Sequence, residues 1–540
     1  MIRFHVAMQW LASQRVLAVP LAFGLALSVT ALLAVEPAGA AEGPLVVNTS
    51  RAPPTLDPVA VCDITDHGFI SSLYVALLAY EDKPIDSAPS GIAATQEDTT
   101  KFKGDLAKSW NVSADGTKLT FNLTPGVKFP SGRPVDAAAV AASLTRAWKS
   151  GKCGTYFFEA AQYGNTQSIE AVDDLTVVIT LARAEPLVMH ALTQPNLAIV
   201  DVKLVEEMGG DEWLASHVAG FGPYLLEDYQ PGVRAKFVRN PTYFGKPALE
   251  AEVIVNFIAD NATLLLQARN RKAHVTLGLQ KSSVASLADQ EGLEVIAVKS
   301  SRWQLIGLPN EIAPFDNVKF REALTYAVPY QQILDKVAFG FAQIYYGPFP
   351  PAFPSYNAEL GQPRDFDLDR ARALIKESGV TLPVATDMVI REGEFAHDQI
   401  ATIVQSTWRE LGVNVTIQKL PASGYQEAIY TETKQSTLIR IDGPSVTDPG
   451  WLFDYDLRCA SFFNTSDYCN PAAEALLDEA HPLLDESQRQ VYWDKIAKMW
   501  VADSPRIPVY ADIYTAIVSD DVKVWHYQQD GPFDLHRWSR

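Results

Sequence analysis

GDLAKSWNVSADGTKLTFNLTPGVKFPSGRPVDAAAVAASLTRAW, residues 104–148, sets two periodicities side by side. Leu119, Phe121 and Leu123 alternate with polar residues, the period-2 signature of a half-buried strand. Asp115-Gly116 just ahead is a hairpin signal between two strands, because this pair tolerates the positive φ that tight turns demand. Asp136 then offers its carboxylate as an N-cap to a helix whose apolar face is Val140, Leu144, Ala147 and Trp148.

The same grammar continues outward. Leu175, Val177, Ile179 and Leu181 alternate again. Phe320, Ala323, Leu324, Ala327 and Val328 fall at helical spacing, and Pro329 stops that helix. Residues 367–377 read as a capped helix ended by Gly379. Ile400, Ile403, Val404, Trp408 and Leu411 form another apolar face; Gly412 ends it, and Val413, Val415 and Ile417 open a strand. Strands and helices alternate with no internal repeat, so the class is mixed α/β. Breaks at 220–223, 307–314 and 502–508 predict lobes joined by more than one crossing.

The 540 residues suffice for about three domains of ordinary size. A formal net charge of -19 argues against nucleic acid and anionic membrane surfaces, which select basic patches. Residues 1–15 carry Arg3, His5 and Arg15 and no acid. Residues 16–35 are apolar, interrupted only by Pro20, Gly24, Ser28 and Thr30, and Ala38-Gly39-Ala40 follows. This is the head, core and cleavage site of an export signal, with cleavage expected after Ala40. An uncleaved anchor is the alternative, since the apolar run approaches the roughly 20 residues needed to span a bilayer. No cysteine stands at the cleavage site, which argues against a lipoprotein. The four cysteines, Cys62, Cys153, Cys459 and Cys469, suit two disulfides in an exported chain. Three connectivities are open. The short spacing favours Cys459–Cys469, which leaves Cys62–Cys153. A zinc site would want C-x-x-C spacing, which is missing.

Catalytic signatures are missing too: there is no G-x-S-x-G, H-E-x-x-H, P-loop or kinase set. Gly220-x-Gly222 is followed by Pro223 and Tyr224 rather than a helix-opening turn. The nine histidines are scattered, with no i, i+4 pair. No catalytic residue, metal or cofactor is expected.

Several stretches occur in an order that carries a resemblance. They are PTLDP at 54–58, ISSLYVALLAYED at 70–82, the 104–148 block, FGPYLLEDYQPG and FVRNPTYFG within 221–245, NEIAPFDNVKFREALTYAVPYQQILDKVAFG at 310–340 and RIPVYAD at 506–512. From about residue 45 to its end the chain resembles the extracytoplasmic solute-binding proteins of ABC importers, in the class that carries dipeptides, oligopeptides, glutathione and nickel. The resemblance implies a three-lobed α/β periplasmic binding protein, class II-like, with a Venus-flytrap cleft between lobes I and III. Lobe I would comprise 45–82, 221–308 and 506–540, lobe II 83–220, and lobe III 309–505. It implies a periplasmic monomer that captures a dipeptide, oligopeptide or peptide-like solute, delivers it to an inner-membrane permease and catalyses nothing. The alternatives are an acidic non-peptide solute such as an opine or sugar conjugate, or a secreted hydrolase, for which no nucleophile beside a base is visible.

The resemblance also implies a site. With IATIVQSTWRELGV aligned, Arg391 in MVIREGEF falls where the family binds a ligand carboxylate; the alternative is a surface ion pair with Glu392 or Glu394. RIDGPSVTDPGW, residues 440–451, matches the loop whose aspartate takes the ligand amine three residues before Asp448-Pro449. Ser445 stands there instead, and Asp442 would substitute if the loop is shifted. Gly443, in the stretch 441–443, would pair with an extended ligand as an added strand, and Asp448 is counted with the contacts. Trp451 and Trp303 are expected as cleft walls or as core packing.

Overall fold

The hairpin and helix read from 104–148 form as their spacing predicts. In the computed structural model, Ala107–Val112 and Lys118–Leu123 pair antiparallel, and Gly116 between them has φ 70°. The Asp136 carboxylate accepts the Ala139 N–H at 2.9 Å and caps the helix Ala137–Lys149. Thr176–Leu181 adds to Lys118–Leu123 and Thr166–Ala171 adds beyond it, which completes a four-stranded sheet. Leu119, Phe121, Leu123, Val177, Ile179 and Leu181 pack under Val140 and Leu144 in one buried core. The described residues are 43–540 without 160–164, 362–364, 431–435, 445, 462–463, 530 and 532. The expected signal segment, 1–40, and Ser445 lie outside them.

An eleven-stranded mixed sheet organises the rest, and strand direction explains its shape. Two long strands, Leu293–Gly307 and Arg506–Ser519, run antiparallel along its middle. On one side lie Leu45–Thr49, Glu252–Phe257 and Val275–Leu277, mutually parallel. Val275–Leu277 is antiparallel to Arg506–Ser519, so this set runs the same way as Leu293–Gly307. At the far end of the long pair lie Val384–Arg391, Val413–Leu420 and Thr437–Asp442, also mutually parallel. Thr437–Asp442 is antiparallel to Leu293–Gly307. The two parallel sets therefore aim their carboxyl ends at each other along the long pair.

Between the sets the long pair is interrupted. Lys299 faces Ile513, but the next pairing is Trp303 with Ala511, so the first strand carries extra residues. That is a bulge, a device that bends a strand and locally increases its twist. Ser300 Oγ donates to the Asp512 carbonyl at 2.9 Å and holds it in place. The breaks read at 307–314 and 502–508 sit where the long strands end and begin, at Gly307 and Arg506. A third sheet joins Ala93–Gly104 to Leu78–Pro84 and to Val524–Tyr527 near the end of the chain.

The helices read in the second half also form. Val318–Tyr326 ends before Pro329, and Leu368–Ser378 is capped by Asp367 and closed by Gly379 at φ 72°. Phe395–Glu410 buries Ile400, Val404 and Trp408. Both expected disulfides are present, Cys62–Cys153 and Cys459–Cys469. They close loops of very different length, with sequence separations of 91 and 10. In the chain-entropy account the longer is worth about 4–5 kcal/mol and the shorter about 2–3 kcal/mol. Replacing Cys62 and Cys153 by serine should therefore lower the unfolding free energy more than replacing Cys459 and Cys469. Urea titration of both double variants checks this, and an equal or reversed order refutes it.

Candidate functional site

In α/β sheets, ligands collect in the crevice outside the carboxyl ends of parallel strands. Here two such edges face each other. Arg391 is the last residue of Val384–Arg391 and Asp442 the last of Thr437–Asp442, on neighbouring strands. The sequence placed both at the site, and the fold brings them to one edge.

Arg391 is 41% exposed, and its nearest acidic partner, Glu394, stands 3.8 Å away. The alternative surface pair thus exists, but a pair this loose and this wet contributes little. The charge of Arg391 is felt nearby. Burial first, and Arg391 next, hold the His397 imidazole down at about 4. His397 sits in the first turn of Phe395–Glu410, beside the Tyr425 ring.

Asp442 is a different kind of group. Its Oδ1 accepts from Arg440 Nη2 at 3.0 Å, from the Gly443 N–H at 2.9 Å and from the Tyr455 hydroxyl at 3.3 Å. Arg440 also donates to the Tyr455 hydroxyl. Arg440 and Asp442 are both buried. A second buried pair, Arg506–Asp456 at 2.6 Å, lies close by. Burial raises the Asp456 carboxyl above its usual range against the pull of Arg506, and Asp442 adds to the rise. Gly443 has a steric reason. A Cβ there would meet Arg302 Cγ at 2.9 Å and Ser301 O at 3.2 Å, so the loop passes directly against the bulge.

The remaining predicted residues are built into the packing. Asp448 is the N-cap of Pro449–Asp456, accepting the Gly450 N–H at 2.7 Å. It also takes both arms of Arg489, at 2.8 and 2.9 Å. Burial pushes its carboxyl up, but Arg489, together with His190 and the Gly450 N–H, holds it below the usual range. Trp451 is buried, stacked on Phe157 at 5.4 Å and edge-on to Tyr156. Trp303 is buried against Phe353.

Val446, Thr447, Trp451 and His481 thus pack on the four-stranded sheet and its surroundings. Val446 and Trp451 share its core. Thr447 Oγ1 donates to Thr99 Oγ1 at 2.7 Å. His481 bridges the two sides, with Nδ1 3.1 Å from Glu185 and Nε2 3.0 Å from Asp454. Arg458 also pairs with Asp454. Sequence reasoning gave no role to Arg440, Tyr455, Asp456, Arg489, Arg506 or His481. For Arg440 a signal existed: strand periodicity puts it two residues before Asp442, on the same face. For His481 and Glu185, 296 residues apart, there was none.

The sequence profile of the bacterial extracellular solute-binding proteins, family 5 (middle region), matches residues 101–464. The probable D,D-dipeptide-binding periplasmic protein DdpA of Escherichia coli K12 is 25% identical over 92% of this chain and 94% of its own. The glutathione-binding protein GsiB of Salmonella typhimurium is 28% identical over 91% of this chain and 92% of its own. The Helicobacter pylori periplasmic binding protein DppA, solved with the peptide STSA, superposes with a TM-score of 0.79. That match is 22% identical over 92% of this chain and 98% of the other, and it shows the same fold.

The His481 bridge has a pH signature. Burial opposes the charge, but Asp454 and Glu185 prevail and raise the imidazole to about 10. A group raised above its unfolded value, about 6.5, stabilises fully below that value and loses the contribution as pH rises through about 10. The Tm difference between the protein and His481→Gln should therefore be largest near pH 6 and shrink toward pH 10. A difference that stays constant across that window would sink the charged-bridge account.

Proposed function

The chain belongs to the bacterial extracellular solute-binding proteins of family 5, and from that premise we propose that it is the periplasmic substrate-binding component of an ABC importer. It captures a small peptide or peptide-like solute in the cleft between two lobes and presents it to an inner-membrane permease. One observation carries the reading. Two sets of parallel strands aim their carboxyl edges at each other across a bulged strand pair, with the exposed Arg391 on one edge. The relatives' names support the solute class: one is described as D,D-dipeptide-binding, one as glutathione-binding, and a structural neighbour holds a peptide. The export-signal pattern at 1–40 and two disulfides fit an oxidising compartment outside the cytoplasm.

On this reading lobe I comprises 45–82, 221–308 and 506–540, lobe II 83–220, and lobe III 309–505. The two long strands lie in lobe I by these limits, and Leu293–Gly307 carries the pairing to Thr437–Asp442 of lobe III. Ala93–Gly104 pairs with strands of lobe I, so lobe II is rooted there. The protein acts as a monomer, and closure about the bulge takes the solute out of water without altering it. A desolvated carboxylate then requires a partner, and the planar guanidinium of Arg391 supplies two parallel donors.

Thermal-shift screening of the purified protein against dipeptides, tripeptides and glutathione tests the proposal. A true ligand at 100-fold over its Kd should add about 2.7 kcal/mol of stability. Arg391→Ala should weaken a carboxylate-bearing ligand by about 2–5 kcal/mol and leave the ligand-free Tm near its starting value. The C-amidated form of the same ligand should be insensitive to the substitution. Equal affinities of the protein and Arg391→Ala for the carboxylate form would remove Arg391 from the site.

A further inference from the structure

Among the described residues, every buried carboxylate on the stretch 442–456 already holds a cation. Asp442 has Arg440 at 3.0 Å, and Asp448 has Arg489 at 2.8 Å. Asp454 has Arg458 and His481, and Asp456 has Arg506 at 2.6 Å. The second oxygens of Asp442 and Asp456 are buried without a hydrogen-bond partner, so each can still accept an N–H, but on a carboxylate whose charge its arginine already balances. On the strand opposite, Asp512 is paired with Lys281 at 3.1 Å.

An ammonium group carried into a closed cleft loses hydration worth several kcal/mol. It regains that loss only from a carboxylate whose charge is uncompensated. Against Asp442 it would meet the Arg440 guanidinium bonded to the same oxygen, cation facing cation. A ligand carboxylate meets the reverse situation at Arg391, which is exposed and only loosely engaged by Glu394. We propose, on the basis of the function above, that the solute is an amine-blocked, peptide-like acid. Its carboxylate lies on Arg391, and the end against residues 440–456 carries a neutral amide or acyl group. Such an end requires hydrogen bonds but no counter-charge, which suits an edge whose charges are already satisfied.

The test is calorimetric titration of the purified protein with Ala-Ala, Ala-Phe and Ala-Glu, each in free and N-acetylated form, repeated on Glu394→Gln. The expected result is that the N-acetyl form of whichever peptide binds does so at least as tightly as the free form. A preference for the free amine beyond about threefold overturns the inference. If that preference disappears in Glu394→Gln, the ammonium acceptor is Glu394. Binding of no peptide in either form overturns the proposed peptide-like solute, and this inference falls with it. A free-amine preference overturns the inference alone.

Discussion

The antiparallel pairing of Leu293–Gly307 with Arg506–Ser519 is the constraint on which the rest of the molecule depends. Arg506–Ser519 pairs with the first parallel set and Leu293–Gly307 with the second, so their directions dictate which ends of the other strands confront one another. Had the second set run the opposite way, its carboxyl ends, with Arg391 and Asp442, would point away from the first. The bulge at 300–302 then places a bend midway along the connection. Gly443 packs against Ser301 and Arg302 there, so the loop after Asp442 rides directly on the bend. Strand direction, bulge and the edge that carries Arg391 are one arrangement of backbone.

Charge on the 384–456 edge is sorted by burial, as elementary electrostatics requires. Asp442, Asp448 and Asp456 are all buried, and each is paired with an arginine at 3.0 Å or less. Removing one partner of such a pair typically costs about 3–5 kcal/mol, because a buried charge is left uncompensated. Arg391 and Glu394 remain exposed and 3.8 Å apart, where an ion pair is worth at most about 1 kcal/mol. The expensive interactions therefore build the wall, and the pair at Arg391 is the one that costs little to give up. This difference separates Arg391 from Asp448, although the sequence offered both as contacts.

What the sequence showed and what it hid divide along the range of each interaction. The hairpin at Asp115-Gly116, the cap at Asp136 and the helix stop at Gly379 are local, and each is written in the residues that form it. Alternation at 119–123 and 175–181 named the faces that pack, and the breaks near 307 and 506 marked where the chain leaves and rejoins the long strands. The role of Asp442 was not legible, because its fate rests on Arg440 and Tyr455 folding over it. Asp448 belongs to Arg489, 41 residues on, and no local pattern records that. Trp451 was open between cleft wall and core until Phe157, from a distant segment, was seen stacked on it.

The contacts of segment 446–484 bear on how the cleft can open. Trp451 on Phe157, Thr447 on Thr99 and His481 between Glu185 and Asp454 all join the proposed lobe III to residues of the 93–190 stretch. That stretch is itself tied to lobe I through the pairing of Ala93–Gly104 with Leu78–Pro84 and Val524–Tyr527. A swing about the bulge that separated lobes I and III would strip Glu185 from the imidazolium and expose the indole of Trp451. Both changes cost free energy, so on the proposed lobe division these contacts favour the closed form. A ligand can shift such an equilibrium only by its differential affinity for the two states. On the proposed function the protein would already supply part of the closing free energy, so a solute held mainly through one carboxylate would tip the balance, and the permease would have to oppose the same contacts to release it.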